Sequence, residues 1–368
     1  MKPRVIVLGG CGFIGRNLVN FLITNDLVES IRVVDKVPPQ IAWLNPKQGE
    51  IFNDSRVFFK SANLINPDSC KAAFAADESG LQFDFVINCA GETKPGQTDA
   101  VYKEGILTLS SLCATEAAQN KVKRYVELSS GNMGSNDKIP HKEDNKKEPW
   151  TNIAKWKSQV EDHLSNVPGL NYTILRPGIV YGIGDKTGLT PRLVVGAIYK
   201  HLGECMKLLW TRDLKMNTVH VEDVCRAIWH VLFRDETKNQ IYNVVDDSDT
   251  TQGIISSFVS DIFNINHDYW GSAISTLAKA DLSCVVEEVN DKHMGPWAEI
   301  CMKDEIYNTP LSPYIDKELL SNKHLYLDGT KLRKTGFIYS VPHLSVERLE
   351  EVLLDYRLMN LFPSSLIS

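Results

Sequence analysis

The sequence predicts an α/β protein: a doubly wound parallel sheet with helices on both faces, followed by a smaller mixed C-terminal region. Three observations carry this prediction. Short apolar runs of strand length alternate with stretches of helical period across residues 1–180. The runs are apolar almost without interruption, as parallel strands covered on both faces must be. The first run passes directly into a glycine-rich turn and then into an amphipathic helix, which is the start of a βαβ unit.

Taken in order, strands are read at 5–8, 31–34, 56–59, 85–88, 124–128 and 172–175, and helices at 12–25, 68–76, 99–120 and 151–165. Beyond Pro177 the rhythm loosens to helices at 190–202 and 222–233, a strand at 240–245, and a mixed stretch from 264 to 323. The aromatics and turn residues of that stretch, MGPW and NTPLSPY, read as cap loops that shape a pocket. The last helix, 345–358, is amphipathic and reads as packing.

The 368 residues suffice for a full-sized core, and the net charge of -6, from 40 basic and 46 acidic residues, excludes a general affinity for nucleic acid or anionic membrane. The expected partner is a small-molecule substrate. Eight cysteines are scattered without disulfide or metal spacing, several inside apolar runs, so they read as buried thiols of a reducing compartment. MKPR runs straight into the first strand with no signal-peptide pattern, so the expected location is cytoplasmic. His220, His293 and His324 show no ligand spacing, so no metal site is expected.

The turn reads Gly9-Gly10-Cys11-Gly12-Phe13-Ile14-Gly15. Glycines let the backbone approach a pyrophosphate, and the helix that follows offers free N–H groups and the positive end of its dipole. The second strand ends at Asp35, twenty residues beyond Gly15. An acid there accepts the hydroxyls of the adenosine ribose and repels a 2′-phosphate. These are the marks of a Rossmann-type dinucleotide fold, with NAD as cofactor and NADP as the alternative that the neighbouring Lys36 leaves open. Cys11, at a helix N-terminus, raises the further expectation of a thiol with lowered pKa, against a small residue that merely fits the turn.

Together with VINCAG (86–91), YVELSS (125–130), RPGIVYGIGD (176–185), VHVEDVCRAI (219–228), IYNVV (241–245) and DGTKLRKTGF (328–337), this turn resembles the extended short-chain dehydrogenase/reductases, the NAD-dependent epimerase/dehydratases, over nearly the whole chain. The resemblance implies a dinucleotide-binding domain at 1–180, completed by about 218–247, and a substrate-binding cap at 181–217 and 248–368. Implied cofactor contacts are Gly9, Gly12, Phe13, Ile14, Gly15, Asp35, Lys36, Asn63, Leu64, Cys89, Ala90, Gly91, Lys157, Pro177 and Gly178, with Ser130 also beside the cofactor. A homodimer through the helices at 99–120 and 151–165 is implied as well.

Members of the family that this chain resembles use a Tyr-x-x-x-Lys pair for proton transfer, with a serine on the substrate oxygen. Ser130 and Lys157 fit the serine and lysine. Ile153, Trp156, Val160 and Leu164 form the apolar stripe of the helix, Lys157 flanks it, and Lys155 points to solvent. Four residues before Lys157 stands Ile153, which carries no proton, and four before Lys155 stands Thr151, which reads as a helix cap. Ser130, Glu92, Lys94 and His141 are the candidate replacements, although the charged segment around His141 reads as a mobile surface loop. Glu104 and Gly134 depart from the family's asparagine and aromatic. Two functions follow: an NAD(P)-dependent oxidoreductase or epimerase/dehydratase relative without the tyrosine, or a redox-inactive dinucleotide-binding sensor.

Overall fold

The computed structural model describes residues 2–76 and 80–366. Its strands are β1 (Arg4–Leu8), β2 (Ser30–Asp35), β3 (Val57–Ser61), β4 (Phe85–Asn88), β5 (Arg124–Leu128), β6 (Tyr172–Pro177), β7 (Ile179–Tyr181), β8 (Met206–Leu208), β9 (Thr218–His220), β10 (Gln240–Val244) and β11 (His267–Tyr269). Seven of them form one sheet in the order β10-β6-β5-β4-β1-β2-β3, every pair parallel. The order reverses between β1 and β4, the switch point at which α/β sheets open a crevice at their C-terminal ends. β7 pairs with β9 and β8 with β11 as two small additions.

The helices are α1 (Phe13–Thr24), α2 (Pro46–Phe52), α3 (Pro67–Phe74), α4 (Asp99–Tyr102), α5 (Leu109–Gln119), α6 (Asn152–Leu164), α7 (Thr190–Leu202), α8 (Val221–Leu232), α9 (Gln252–Phe263), α10 (Ser272–Ala280), α11 (Leu282–Lys303), α12 (Thr330–Lys334) and α13 (Val346–Leu358). Strand period decides which face each residue serves. Val5 and Val7 join the core beneath α1 and α8, whereas Ile6 and Leu8 join the one beneath α3, α5 and α6. A third core, with Leu193, Ile198, Val259, Phe263, Trp297 and Val352, joins α7, α9, α11 and α13. Among the described residues no helix is long and apolar enough to cross a membrane.

Three readings of the sequence change. The helix expected at 99–120 is interrupted by a π-helical turn at Lys103–Thr108, because the amide of Glu92 takes the Gly105 carbonyl at 3.0 Å and displaces its helical donor. MGPW lies inside the 22-residue α11 and not in a loop. Burial of His293, Trp297, Ile300 and Cys301 from that helix, at about 1.5–3 kcal/mol for a large apolar side chain, outweighs the ~3 kcal/mol cost of an interior proline. The charged segment is pinned at its middle: His141 forms a parallel bridge with Leu327, and its carbonyl accepts from Asn243 Nδ2 at 2.8 Å and Asp328 N at 3.0 Å.

His293 makes the packing of α11 pH-dependent. Its ring stacks edge-on to Tyr199 with centroids 5.5 Å apart, and burial, helped by Lys292, pushes its pKa down to about 4. The folded ring stays neutral where the unfolded histidine, with a pKa of about 6.5, takes a proton. Its contribution is therefore complete above that value and is lost as pH falls toward 4, by roughly 3 kcal/mol at most. Urea denaturation between pH 7 and 4 should show a shallower loss in His293→Phe than in the native protein.

Candidate functional site

The glycine turn is shaped by contacts that exclude any side chain. Gly9 has φ +70°, and a Cβ there would meet the Ala90 amide nitrogen at 2.6 Å, so the turns after β1 and β4 lie backbone to backbone. Gly12 begins α1 without a side-chain cap, and the amides of Phe13 and Ile14 have no protein acceptor among the described residues. Open N–H groups at a helix N-terminus are what a diphosphate requires. Asp35 holds this turn from the tip of β2, its Oδ2 accepting from Cys11 N at 3.0 Å and its Oδ1 from Val37 N at 3.0 Å. Lys36 and Asn63 are exposed, and Leu64 is buried.

One feature of this turn, its anchoring by Arg16, is not visible in the sequence. Arg16 is buried and donates to the carbonyls of Cys11 at 2.6 Å, Ala42 at 2.5 Å and Trp43 at 2.7 Å, tying the turn to the segment that precedes α2. Cys11 is no low-pKa thiol: burial, reinforced by Asp35, pushes it up to about 12. Desolvation of the thiolate outweighs the helix dipole here, and the reading of Cys11 as a small residue in a tight turn stands.

At the other end of the crevice, Lys157 of α6 is only 7% exposed, and it donates to Glu127 Oε1 at 3.0 Å and to the Leu128 carbonyl at 2.7 Å. A Cβ placed on Gly91 would sit 3.7 Å from its Nζ, so the ammonium lies against the turn after β4. Cys89 of that turn is pushed up to about 12, by burial first, with Lys157 and Glu127 both acting on it. Glu127 is fully buried and takes three further donors, Ser110 Oγ at 3.1 Å, Asn88 Nδ2 at 2.8 Å and Tyr125 Oη at 2.9 Å. Its signal was a lone acid in the run YVELSS, and its register partner is Asn88 of the neighbouring strand.

At the position that the resemblance assigns to the tyrosine stands Ile153, whose side chain carries no proton. Ile153 packs into the core under α5 and α6, Thr151 caps α6 through Ala154 N at 3.1 Å, and Lys155 is exposed. Ser130 Oγ accepts from Asn132 N at 3.2 Å, which leaves its hydrogen free to donate. Glu92 is half-buried and accepts from Lys94 N at 2.8 Å, while Lys94 is exposed. The His141 ring fills the space where a side chain on Gly134 would stand, and burial holds it below the usual histidine pKa, so it is neutral at pH 7.

Residues from beyond the sheet pack against this end. A Cβ on Gly131 would meet Leu327 Cδ1 at 2.7 Å, and Leu325, Leu327 and Val245 are buried together with Trp150 and Ile179 against them. Both carboxylate oxygens of Glu318 accept from Asn152 N at 3.2 Å, at the positive end of α6.

The fold is shared with sugar-nucleotide enzymes of known structure. The UDP-glucose 4-epimerase of Thermus thermophilus, solved with NAD, is 20% identical with a TM-score of 0.68, over 96% of this chain and 99% of that one. A UDP-N-acetylglucosamine 4-epimerase from Methanobrevibacter ruminantium, in complex with UDP-N-acetylmuramic acid, is 19% identical with a TM-score of 0.68, over 98% and 100%. A double mutant of the dTDP-glucose 4,6-dehydratase of Streptomyces venezuelae, with NAD bound, is 18% identical with a TM-score of 0.69, over 96% and 97%. No curated protein matches the sequence. The family model of the NAD dependent epimerases and dehydratases matches residues 5–244, which takes in the glycine turn, Asp35, Lys157 and all seven strands of the sheet. The chain belongs to the NAD dependent epimerase/dehydratase family.

Proposed function

We propose that the protein binds NAD and is an NAD-dependent enzyme acting on a small hydroxyl- or carbonyl-bearing substrate of sugar type, with its proton path rebuilt without the tyrosine. The observation that carries this reading is Lys157, a buried ammonium held by two acceptors beside the Gly91 turn. Its charge is met by Glu127, and its ammonium lies against the turn that the resemblance assigns to the cofactor.

In this reading Gly9, Gly12, Phe13, Ile14 and Gly15 hold the diphosphate, Asp35 and Lys36 the adenosine ribose, and Asn63 and Leu64 the adenine. Cys89, Ala90, Gly91, Pro177 and Gly178 offer backbone at the nicotinamide, Lys157 its ribose, and Ser130 the substrate oxygen. Bound NAD supplies the hydride acceptor. Ser130 donates to the substrate oxygen and Lys157 keeps its ammonium in place, while the cap segments 181–217 and 248–368 exclude water. Asp35 disfavours a 2′-phosphate, so NADP is the weaker ligand.

A second reading, a redox-inactive dinucleotide-binding sensor, is favoured by the apolar packing of Ile153 and by Leu327 lying against Gly131. Fluorescence titration tests what both share: NADH should bind roughly tenfold more tightly than NADPH, a difference of about 1.4 kcal/mol. Turnover of NAD with a panel of alcohols, carbonyls and sugar nucleotides then separates them. Turnover lost in Ser130→Ala supports the enzyme, and binding without any turnover supports the sensor.

A further inference from the structure

We propose that Glu127 acts through Lys157 to set the oxidation-state preference of the bound dinucleotide. The proposal rests on the reading above, in which Lys157 holds the nicotinamide ribose. Glu127 is then a positioning residue, since it is fully buried and reaches the crevice only through the lysine.

The argument is one of charge. Glu127 forms the one ion pair of Lys157 among the described residues, at 3.0 Å with side chains 8% and 0% exposed. The other groups around the carboxylate, Asn88, Ser110 and Tyr125, are neutral donors, and burial holds the Tyr125 phenol well above its ordinary pKa. Cys89, pushed up to about 12, also stays uncharged at neutral pH. Glu161, four residues along α6, is committed elsewhere, since Arg176 grips it at 2.9 and 2.6 Å and Ser129 donates to it at 2.6 Å. The ammonium and the Glu127 carboxylate therefore balance each other, next to a turn where the dielectric is low and charge acts strongly.

The nicotinamide ring is cationic when oxidised and neutral when reduced. An uncompensated Lys157 would repel the oxidised ring, and the tyrosinate that could balance it elsewhere in the family is replaced here by Ile153. Glu127 removes that penalty from below the sheet's end. It also fixes the direction of the ammonium: two of three N–H groups go to Glu127 and the Leu128 carbonyl, and the third is left for a ligand.

The test is a cycle of dissociation constants for NAD+ and NADH, measured separately by calorimetry on the full-length protein. Glu127→Gln should raise the ratio Kd(NAD+)/Kd(NADH) roughly tenfold. Lys157→Met should lower it, and the double variant, in which neither charge is buried, should return it toward the native value. A ratio cancels any general loss of affinity, so a purely structural role for Glu127 would leave it unmoved. Should Glu127→Gln fail to fold, the comparison of Lys157→Met with the double variant carries the same prediction, because only Glu127 differs between them. Binding with one ratio throughout would overturn the proposal. A native protein that binds neither form would overturn the cofactor reading itself, and this proposal with it.

Discussion

Gly15→Ala should cripple dinucleotide binding while leaving a folded but weaker protein. The added Cβ would be driven into the Gly9 carbonyl and would lie 2.6 Å from Gly10 Cα, both backbone atoms of the turn itself. No rotamer relieves such a clash, and the turn must open. Overpacking of this kind costs about 1–3 kcal/mol in stability, but the larger effect is on geometry. The Phe13 and Ile14 amides and the start of α1 no longer converge on one point, and an anion site made of backbone has no side chain with which to compensate. NADH affinity should fall roughly a hundredfold or more, equivalent to about 2.7 kcal/mol, with a modest loss in Tm. Gly49→Ala is the control: it lies within α2 with nothing within 4 Å of its added Cβ, so it should leave binding unchanged and stabilise by roughly 0.5–1 kcal/mol. Unaltered binding by Gly15→Ala would remove the turn from the cofactor site.

What the sequence discloses and what it hides divide along the range of the interactions. The glycine turn is local, written in seven consecutive residues, and its steric logic could be read before any fold was known. The sheet was legible for the same reason, because each strand announces itself by an apolar run, with errors confined to ends such as β3, expected at 56–59 and formed at Val57–Ser61. Glu127 shows where this stops. Its lone charge in an apolar strand was visible, yet its meaning depends on Asn88 being its register partner and on Lys157 and Ser110 arriving from two helices. Spacing and a resemblance single out Lys157, without the carboxylate that neutralises it. His141 is similar: the charge density around it suggests a mobile loop, and contacts from far along the chain, with Leu327, Asp328 and Asn243, fix it with its ring over Gly134. α11 hid for a different reason, since its glycine and proline mark a turn by propensity and only tertiary burial overrides them.

Arg176→Met should cost about 3–5 kcal/mol of stability. Arg176 at the end of β6 and Glu161 on α6 are each 1% exposed at the side chain and joined by two hydrogen bonds, at 2.9 and 2.6 Å. Ser129 at the end of β5 adds a third bond to the same carboxylate at 2.6 Å. Without Arg176, Glu161 keeps only Ser129 and the more distant Lys147 at 3.6 Å, and an under-compensated buried carboxylate is what makes such a deletion expensive. The pair itself need not be worth that much. Two ions taken out of water repay their desolvation only in part, so Arg176→Met/Glu161→Met should recover most of the loss. Urea denaturation of the two single variants and the double separates the cost of an orphaned charge from the value of the pair. The pair also has a positional effect, because it clamps α6 between the ends of β5 and β6 one turn beyond Lys157. Dinucleotide affinity should therefore stay reduced in the double variant even where stability returns. Full recovery of both would mean that α6 is held in place by its apolar stripe alone.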